Sequence, residues 1–216
     1  MAVINSIILG RAKGSIGNVS FSTQKGRVIA RQKPSIVTNP RTQAQLDQRA
    51  KVSAANVAWY MIGSVIKSGI TQLVGLGSQF NTYVSKNANV FAGKDFTKET
   101  FKTMDLTGSY ASIGATPKIP FAKVAEDVNT LEVSFNKNTF GMYAKVGDIL
   151  KIVVGKGLSS DQSYSEVAVT QAMLDQLEPT AEFQDLDLQG DGDTIGALWL
   201  ESADGKPSST SQFEVI

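Results

Sequence analysis

Asn39–Gly69, NPRTQAQLDQRAKVSAANVAWYMIGSVIKSG, is the longest stretch of the chain that can be read with a single period. Asn39 before Pro40 fits a cap followed by proline at the first helical position. Thr42 with Gln45 three residues later fits a capping box, so two starts are open. Leu46, Ala50, Val57, Met61 and Val65 then fall on one stripe, and Ala55, Trp59, Ile62 and Ile66 on a neighbouring one. The apolar arc widens in the second half, which predicts a helix covered on more than one side. Arg41, Gln43, Asp47, Gln48 and Arg49 in its first half can face water. Two coverings fit: the core of a small domain, or that core together with neighbouring subunits.

Working outward, glycines at 69, 75 and 77 separate this helix from a second one. Ser78 is the expected cap and Gly93 the expected C′ residue. Phe80, Tyr83, Val84, Asn87 and Phe91 lie at helical spacing between them. A helical hairpin follows, with Trp59, Ile62, Phe80, Tyr83 and Phe91 as its core. An aromatic stripe at this spacing is packing rather than a ligand box.

Upstream, residues 1–38 read as short strands between glycine turns. Val3–Leu9 is an apolar run, Gly10–Gly17 a basic glycine loop, and Asn18–Ser22 a strand. Lys25-Gly26 makes a turn into a strand over Arg27–Lys33. There Arg27, Ile29 and Arg31 share one face, and Val28, Ala30 and Gln32 the other. An isolated hairpin is marginal, so this one needs the helices or another chain to lean on.

Downstream of Asp105 the period changes to two. Strands are expected over Leu106–Ile113, Ile119–Lys123, Leu131–Phe135, Ile149–Val154, Tyr164–Val169, Phe183–Leu188, Ala197–Ser202 and Phe213–Ile216. Thr170–Leu177 fits a short helix or a crossover. Turn residues between the runs point to a β-sandwich of seven or eight strands. The fold class is therefore α+β, with a β-hairpin and two-helix hairpin over 1–98 and a β-sandwich over 103–216. The boundary is expected between 94 and 105.

Composition narrows the function. Hydrophobic residues make up 42% and charged residues 19% of 216, a globular balance. The net charge of +1 conceals a gradient. Residues 1–51 hold nine cations and one acid, 52–102 five and two, and 103–216 seven and 17. A chain this polarised is suited to head-to-tail attraction between copies, or to a polyanion at its basic end. Cysteine and histidine are absent, which removes disulfides, Cys/His zinc sites and catalytic pairs that use either residue. The opening MAVINSIILGRAKG lacks the basic start of a signal peptide. No apolar run approaches the roughly 18 residues that span a bilayer. A chain that stays in the cytoplasm of the producing cell, away from membranes, is the expectation.

No motif carries catalysis. The acids Asp185, Asp187, Asp191 and Asp193 suggest calcium, but counting from Asp187 puts Gln189 and Leu198 where a calcium loop needs oxygen ligands. A solvated turn is the better reading. Lys13-Gly14-Ser15 reverses the order a phosphate loop requires. Asn18-Val19-Ser20 matches a glycosylation acceptor only by chance. No catalytic, cofactor or metal residue is assigned, and an enzyme is not expected. The remaining constellation is basic: Arg11, Lys13, Lys25, Arg27, Arg31, Lys33, Arg41 and Arg49. It is read as a subunit interface, with DNA contact as the alternative. Phe21 is the one aromatic interleaved with it, which gives base stacking little support.

GRAKGSIGNVSF, KGRVIARQKP, NPRTQAQLDQRAKV and SQFNTYVSKNANVF, with the ending LWLESADGKPSSTSQFEV, resemble a family of uncharacterised proteins. That family is found in Bacteroidota and in the crAss-like phages that infect them. The likeness is strongest over Gly10–Phe91. It implies an immunoglobulin- or fibronectin-like sandwich behind the basic hairpin and helix pair. It further implies a virion component, a ring or connector of the neck or tail, built from many copies and assembled in the host cytoplasm. Its neighbours would be further copies and other neck, tail or portal proteins. A nucleic-acid-binding or packaged accessory protein and a bacterial adhesion module are the alternatives.

Overall fold

A computed structural model describes residues 2–4, 13–36, 39–70, 77–207 and 209–216. Arg11, the run from Asn5 to Leu9, and Gly75 lie outside the described residues. The chain is mixed α+β, with antiparallel strands in several sheets and a sandwich in its C-terminal part. It divides into two compact units, Met1–Gln43 and Ala44–Ile216.

The first unit is one antiparallel sheet of four strands: β1 (Ala2–Ile4), β2 (Gly14–Ile16), β3 (Val19–Gln24) and β4 (Arg27–Gln32), in the order β1-β4-β3-β2. The hairpin between β3 and β4 turns on Lys25 (φ 45°) and Gly26 (φ 80°). Two successive left-handed residues match the twist of the strands they join. The sequence assigned Gly14–Ile16 to a loop, and here it is a strand. Gly17 (φ 54°) turns the chain with Asn18, so Gly14, Ser15 and Ile16 pair with Phe21, Ser20 and Val19.

The second unit begins with α1 (Gln43–Ile66), which takes the later of the two expected starts. Ala55, Ala58, Ile62 and Ile66 are fully buried, whereas 43–50, including Leu46 and Ala50, are exposed throughout. Gly63 leaves room for the Trp59 ring: a Cβ there would lie 2.9 Å from it. After a 3-10 turn to Gly69 and an extended Ile70, α2 (Gln79–Asn87) starts where Ser78 caps the Asn81 N–H at 3.2 Å. Trp59 packs on Phe80 and Tyr83, with ring centroids 6.1 and 5.3 Å apart. Phe91 lies beyond α2 in a run of turns that ends at Gly93 (φ 75°), and it is buried against Phe96.

The strands that follow are β5 (Tyr110–Ser112), β6 (Phe121–Glu126), β7 (Leu131–Phe135), β8 (Ile149–Lys156), β9 (Ser163–Ala168), β10 (Thr180–Phe183), β11 (Thr194–Glu201), β12 (Ser211–Gln212) and β13 (Glu214–Val215). Helix α3 (Lys137–Tyr143) and the short α4 (Gln171–Asp175) interrupt them. The sheet β13-β11-β8-β9 is the middle layer. Leu150, Ile152, Val154, Leu198 and Leu200 on one face meet Leu131, Val133, Phe135, Ala181 and Phe183 of the sheet β10-β7-β6. Val153, Ile195, Ala197 and Trp199 on the other face meet α1, Tyr83 and Phe91. The helices therefore share a core with the sandwich, and the chain parts at 43/44 rather than between 94 and 105.

Four boundaries differ from the sequence reading for local reasons. Thr103–Leu106 is a 3-10 turn, so the strand expected over Leu106–Ile113 shrinks to β5. Asp185 (φ 60°) bends the chain after β10, and Leu186 and Leu188 instead bond the backbone of Asn129 and Val128. The last strand is two, because the chain passes from β5 (through β12) to β11 (through β13) around the buried Phe213. Helix α3 falls between two expected strands, in a stretch to which the sequence reading assigned no element. Asn136 caps it through the Asn138 and Thr139 N–H groups, and Phe140 stacks on Phe135 at 4.6 Å.

Candidate functional site

The first unit holds seven cations and no acid over residues 1–43, against 14 cations and 20 acids over 44–216. A unit with no carboxylate cannot neutralise its own charge. Pairing in the sheet sorts its residues by face. Arg27 lies opposite Gln24, Ile29 opposite Ser22, and Arg31 opposite Ser20, with Arg31 Nε donating to Ser20 Oγ at 3.4 Å. On the other face Val28, Ala30 and Gln32 lie opposite Thr23, Phe21 and Val19, and Ile16 lies beside Val19. One face carries Arg27 and Arg31 on either side of Ile29 among polar partners, and the other is mainly apolar, with Thr23 and Gln32 its polar members. Ile16 is 73% exposed on the apolar side, so only part of that face is covered.

Lys13, Lys25, Arg27, Arg31, Lys33 and Arg41 are all exposed in this unit. The structure brings Arg27 and Arg31 together on one face; Lys25 is in the turn, and Lys13 and Lys33 flank strands. Arg49 belongs to α1 in the other unit. Trp59, Ile62, Phe80, Tyr83 and Phe91 all serve the core of the second unit.

In the second unit the outer face of β10-β7-β6 carries the opposite charge. Glu182 and Glu132 are direct cross-strand partners, with Thr180 and Ser134 in the next outward row. Leu131, Val133, Phe135, Ala181 and Phe183 alternate with them and point into the core. Beside the two glutamates, Ala122, Val124 and Ala125 of the edge strand β6 are exposed. Like charges directly opposite one another weaken a sheet. Asp127, Asp185 and Asp187 extend the acidic surface at the same end, all exposed. Among the described residues no three acids converge to hold a metal ion, the run 185–193 included.

Two further ionic groups are structural. Glu126 on β6 accepts from Lys156 of β8, from Thr194 of β11 at 2.8 Å and from Lys123 at 2.9 Å, pinning one sheet to the other. Burial pushes its carboxyl up, but the bonds from Lys156, Lys123 and Thr194 outweigh this and hold it at about 2. On the helix-facing side, buried Lys151 lies 2.9 Å from buried Glu201 and 3.7 Å from Glu166, which accepts from the Tyr164 hydroxyl at 2.6 Å. Burial, then the bond and charge of Glu166, pushes the Tyr164 phenol up. An open cleft of about 730 Å³ runs past Tyr164 and is lined by Ser64, Val65, Lys67, Ser68 and Gln79. Among the described residues its lining holds no carboxylate.

Sequence reasoning missed the Glu132–Glu182 pair and the Glu126 group. Their partners lie 50 and 30 to 68 residues apart, and pairing at that range leaves no local periodic trace. Among described residues no helix is long and apolar enough to cross a membrane. A search of curated proteins finds no match to the chain. Residues 11–184 match a family of unknown function, DUF6266, and since this span covers most of the chain, the protein belongs to that family.

Proposed function

We propose that the chain is a structural protein that works in multiple copies, a ring or connector subunit in the neck or tail of a bacteriophage virion. Its role is assembly rather than catalysis, and it assembles in the host cytoplasm. Its partners are further copies of itself and adjoining neck, tail or portal proteins. One observation carries this reading. The first unit is a single-layer sheet with seven cations, no acid and a partly uncovered apolar face. Such a unit has no counter-charge of its own, and a neighbouring chain supplies it. The sequence resemblance to crAss-like phage proteins supports the virion setting. Nucleic acid is the competing occupant of the basic face, and the placement of Phe21 tells against it. Phe21, the one aromatic in the sequence of residues 1–43, pairs with Ala30 on the face opposite Arg27 and Arg31, so it offers bases no stacking surface beside them.

The test is the mass of the purified full-length protein. Wild-type protein is expected to form discrete multiples of the 23.1 kDa protomer at low salt. Arg27→Glu with Arg31→Glu is expected to leave protomers whose melting is unchanged. Wild-type protein that stays monomeric at all concentrations, alone and with other particle components, overturns the proposal.

A further inference from the structure

We infer that the acceptor for the basic face is the outer face of the sheet β10-β7-β6 on a second copy, centred on Glu132 and Glu182. This rests on the reading above and names the surface through which copies join. Three observations support it. First, Glu132 and Glu182 face each other directly across two strands. Their Cβ atoms lie about 5 Å apart, a repulsive arrangement that an incoming cation relieves. Neither has a cationic partner among the described residues; the neighbouring Lys123 is committed to Glu126. Second, most of the residues beside them on the paired strands are small, Ala122, Ala125, Ser134 and Thr180, with Val124 of the edge strand the larger exposed neighbour. Small side chains there let another sheet approach toward the usual layer separation of about 10 Å. Third, the charges complement each other. Arg27 and Arg31 stand on either side of Ile29 on a face with Gln24, Ser20 and Ser22 and no acid, while Asp127, Asp185 and Asp187 extend the acidic side.

Donor and acceptor are different surfaces, so the contact is heterologous. Repeated from copy to copy, it closes into a ring or continues as a filament. Arginine suits the donor position because its planar fork can bond two carboxylate oxygens at once.

Charge reversal in the full-length chain tests the inference, read by sedimentation equilibrium at low salt with thermal melting as the control for folding. Arg27→Glu/Arg31→Glu and, separately, Glu132→Lys/Glu182→Lys are each expected to weaken self-association at least tenfold. The quadruple variant, with both faces exchanged, is expected to regain it, and a mixture of the two double variants is expected to co-assemble in alternation, although neither associates alone. If the arginine variant dissociates but the glutamate variant associates like wild type, the acceptor surface is wrong while the multi-copy reading stands. If all variants and wild type are monomeric, both fall. If the arginine variant loses single-stranded oligonucleotide binding and self-association never changes, the basic face serves nucleic acid and this inference is overturned.

Discussion

Glu126 joins the two sheets of the sandwich through one carboxylate, and its protonation state shows how far single residues hold this fold. Its folded-state pKa lies near 2, against 4.5 for an unperturbed group. A depressed carboxyl contributes stability that is complete above its unfolded value and is lost as pH falls from about 4.5 toward 2. The contribution is on the order of 2–3 kcal/mol. Urea melts between pH 2 and 7 should show wild-type stability falling more steeply below pH 4.5 than that of Glu126→Gln, with the two curves converging at the acid end. Parallel curves would mean that Glu126 does not titrate as described. Asn87 acts through geometry alone. It is fully buried in an otherwise apolar stripe, its Nδ2 donating to the Tyr110 carbonyl at 3.2 Å and its Oδ1 accepting from the Tyr110 N–H at 2.7 Å. The side chain thus completes the backbone pairing of β5. Asn87→Leu keeps the volume but strands both Tyr110 groups, and a loss of about 2–4 kcal/mol in chemical denaturation is expected. A loss below about 0.5 kcal/mol would place those groups in contact with water.

At the scale of elements, β8 and β11 decide the architecture because both of their faces are covered. Their sequences, ILKIVVGK and TIGALWLE, are almost continuously apolar, as doubly covered strands require. Read along the chain they were two strands among eight. Their lack of alternation is the legible sign that a third layer packs on the sandwich. Strand identity at Leu131–Phe135, the Ser78 cap and the alternation of Arg27 with Val28 follow from local chemistry and could be read directly. The domain boundary could not, because it depends on whether α1 and β11 share one core, and no local pattern encodes that. Sharing one core has a measurable consequence. Trp59 reports on α1 and Trp199 on β11, and they are the two tryptophans of the chain. In Trp59→Phe and Trp199→Phe, the remaining fluorescence should follow one common transition when melts are compared with circular dichroism. Ile62→Ala should lower both signals together, by about 3 kcal/mol. Separate midpoints for helix and strand signals would restore a boundary near residue 100. Gly69 sits at the close approach of helix to sheet. A Cβ there would lie 2.7 Å from the Ala111 carbonyl and 3.2 Å from Trp199, so Gly69→Ala should disturb the helix–sheet junction.

At the scale of the whole molecule, a net charge of +1 divides into a unit of seven cations without acids and a unit with six more acids than cations. Such a molecule presents two surfaces for self-association, and their responses to salt have opposite signs. If the basic face meets Glu132 and Glu182, raising ionic strength shortens the Debye length from about 10 Å at 0.1 M to about 3 Å at 1 M, and association weakens. If the apolar face with Ile16 and Val19 is the seam, salts that favour burial strengthen it instead. Sodium chloride and sodium sulfate titrations, followed by sedimentation velocity, separate the two. The expected outcome is dissociation toward the protomer as sodium chloride rises to 1 M, with Ile16→Ser associating as wild type does. Complexes that persist in 1 M salt and come apart with Ile16→Ser would place the seam on the opposite side of the same sheet. Polarity would then serve to orient approaching copies before an apolar contact holds them, since long-range attraction acts on encounter rates even where it adds little to the final complex.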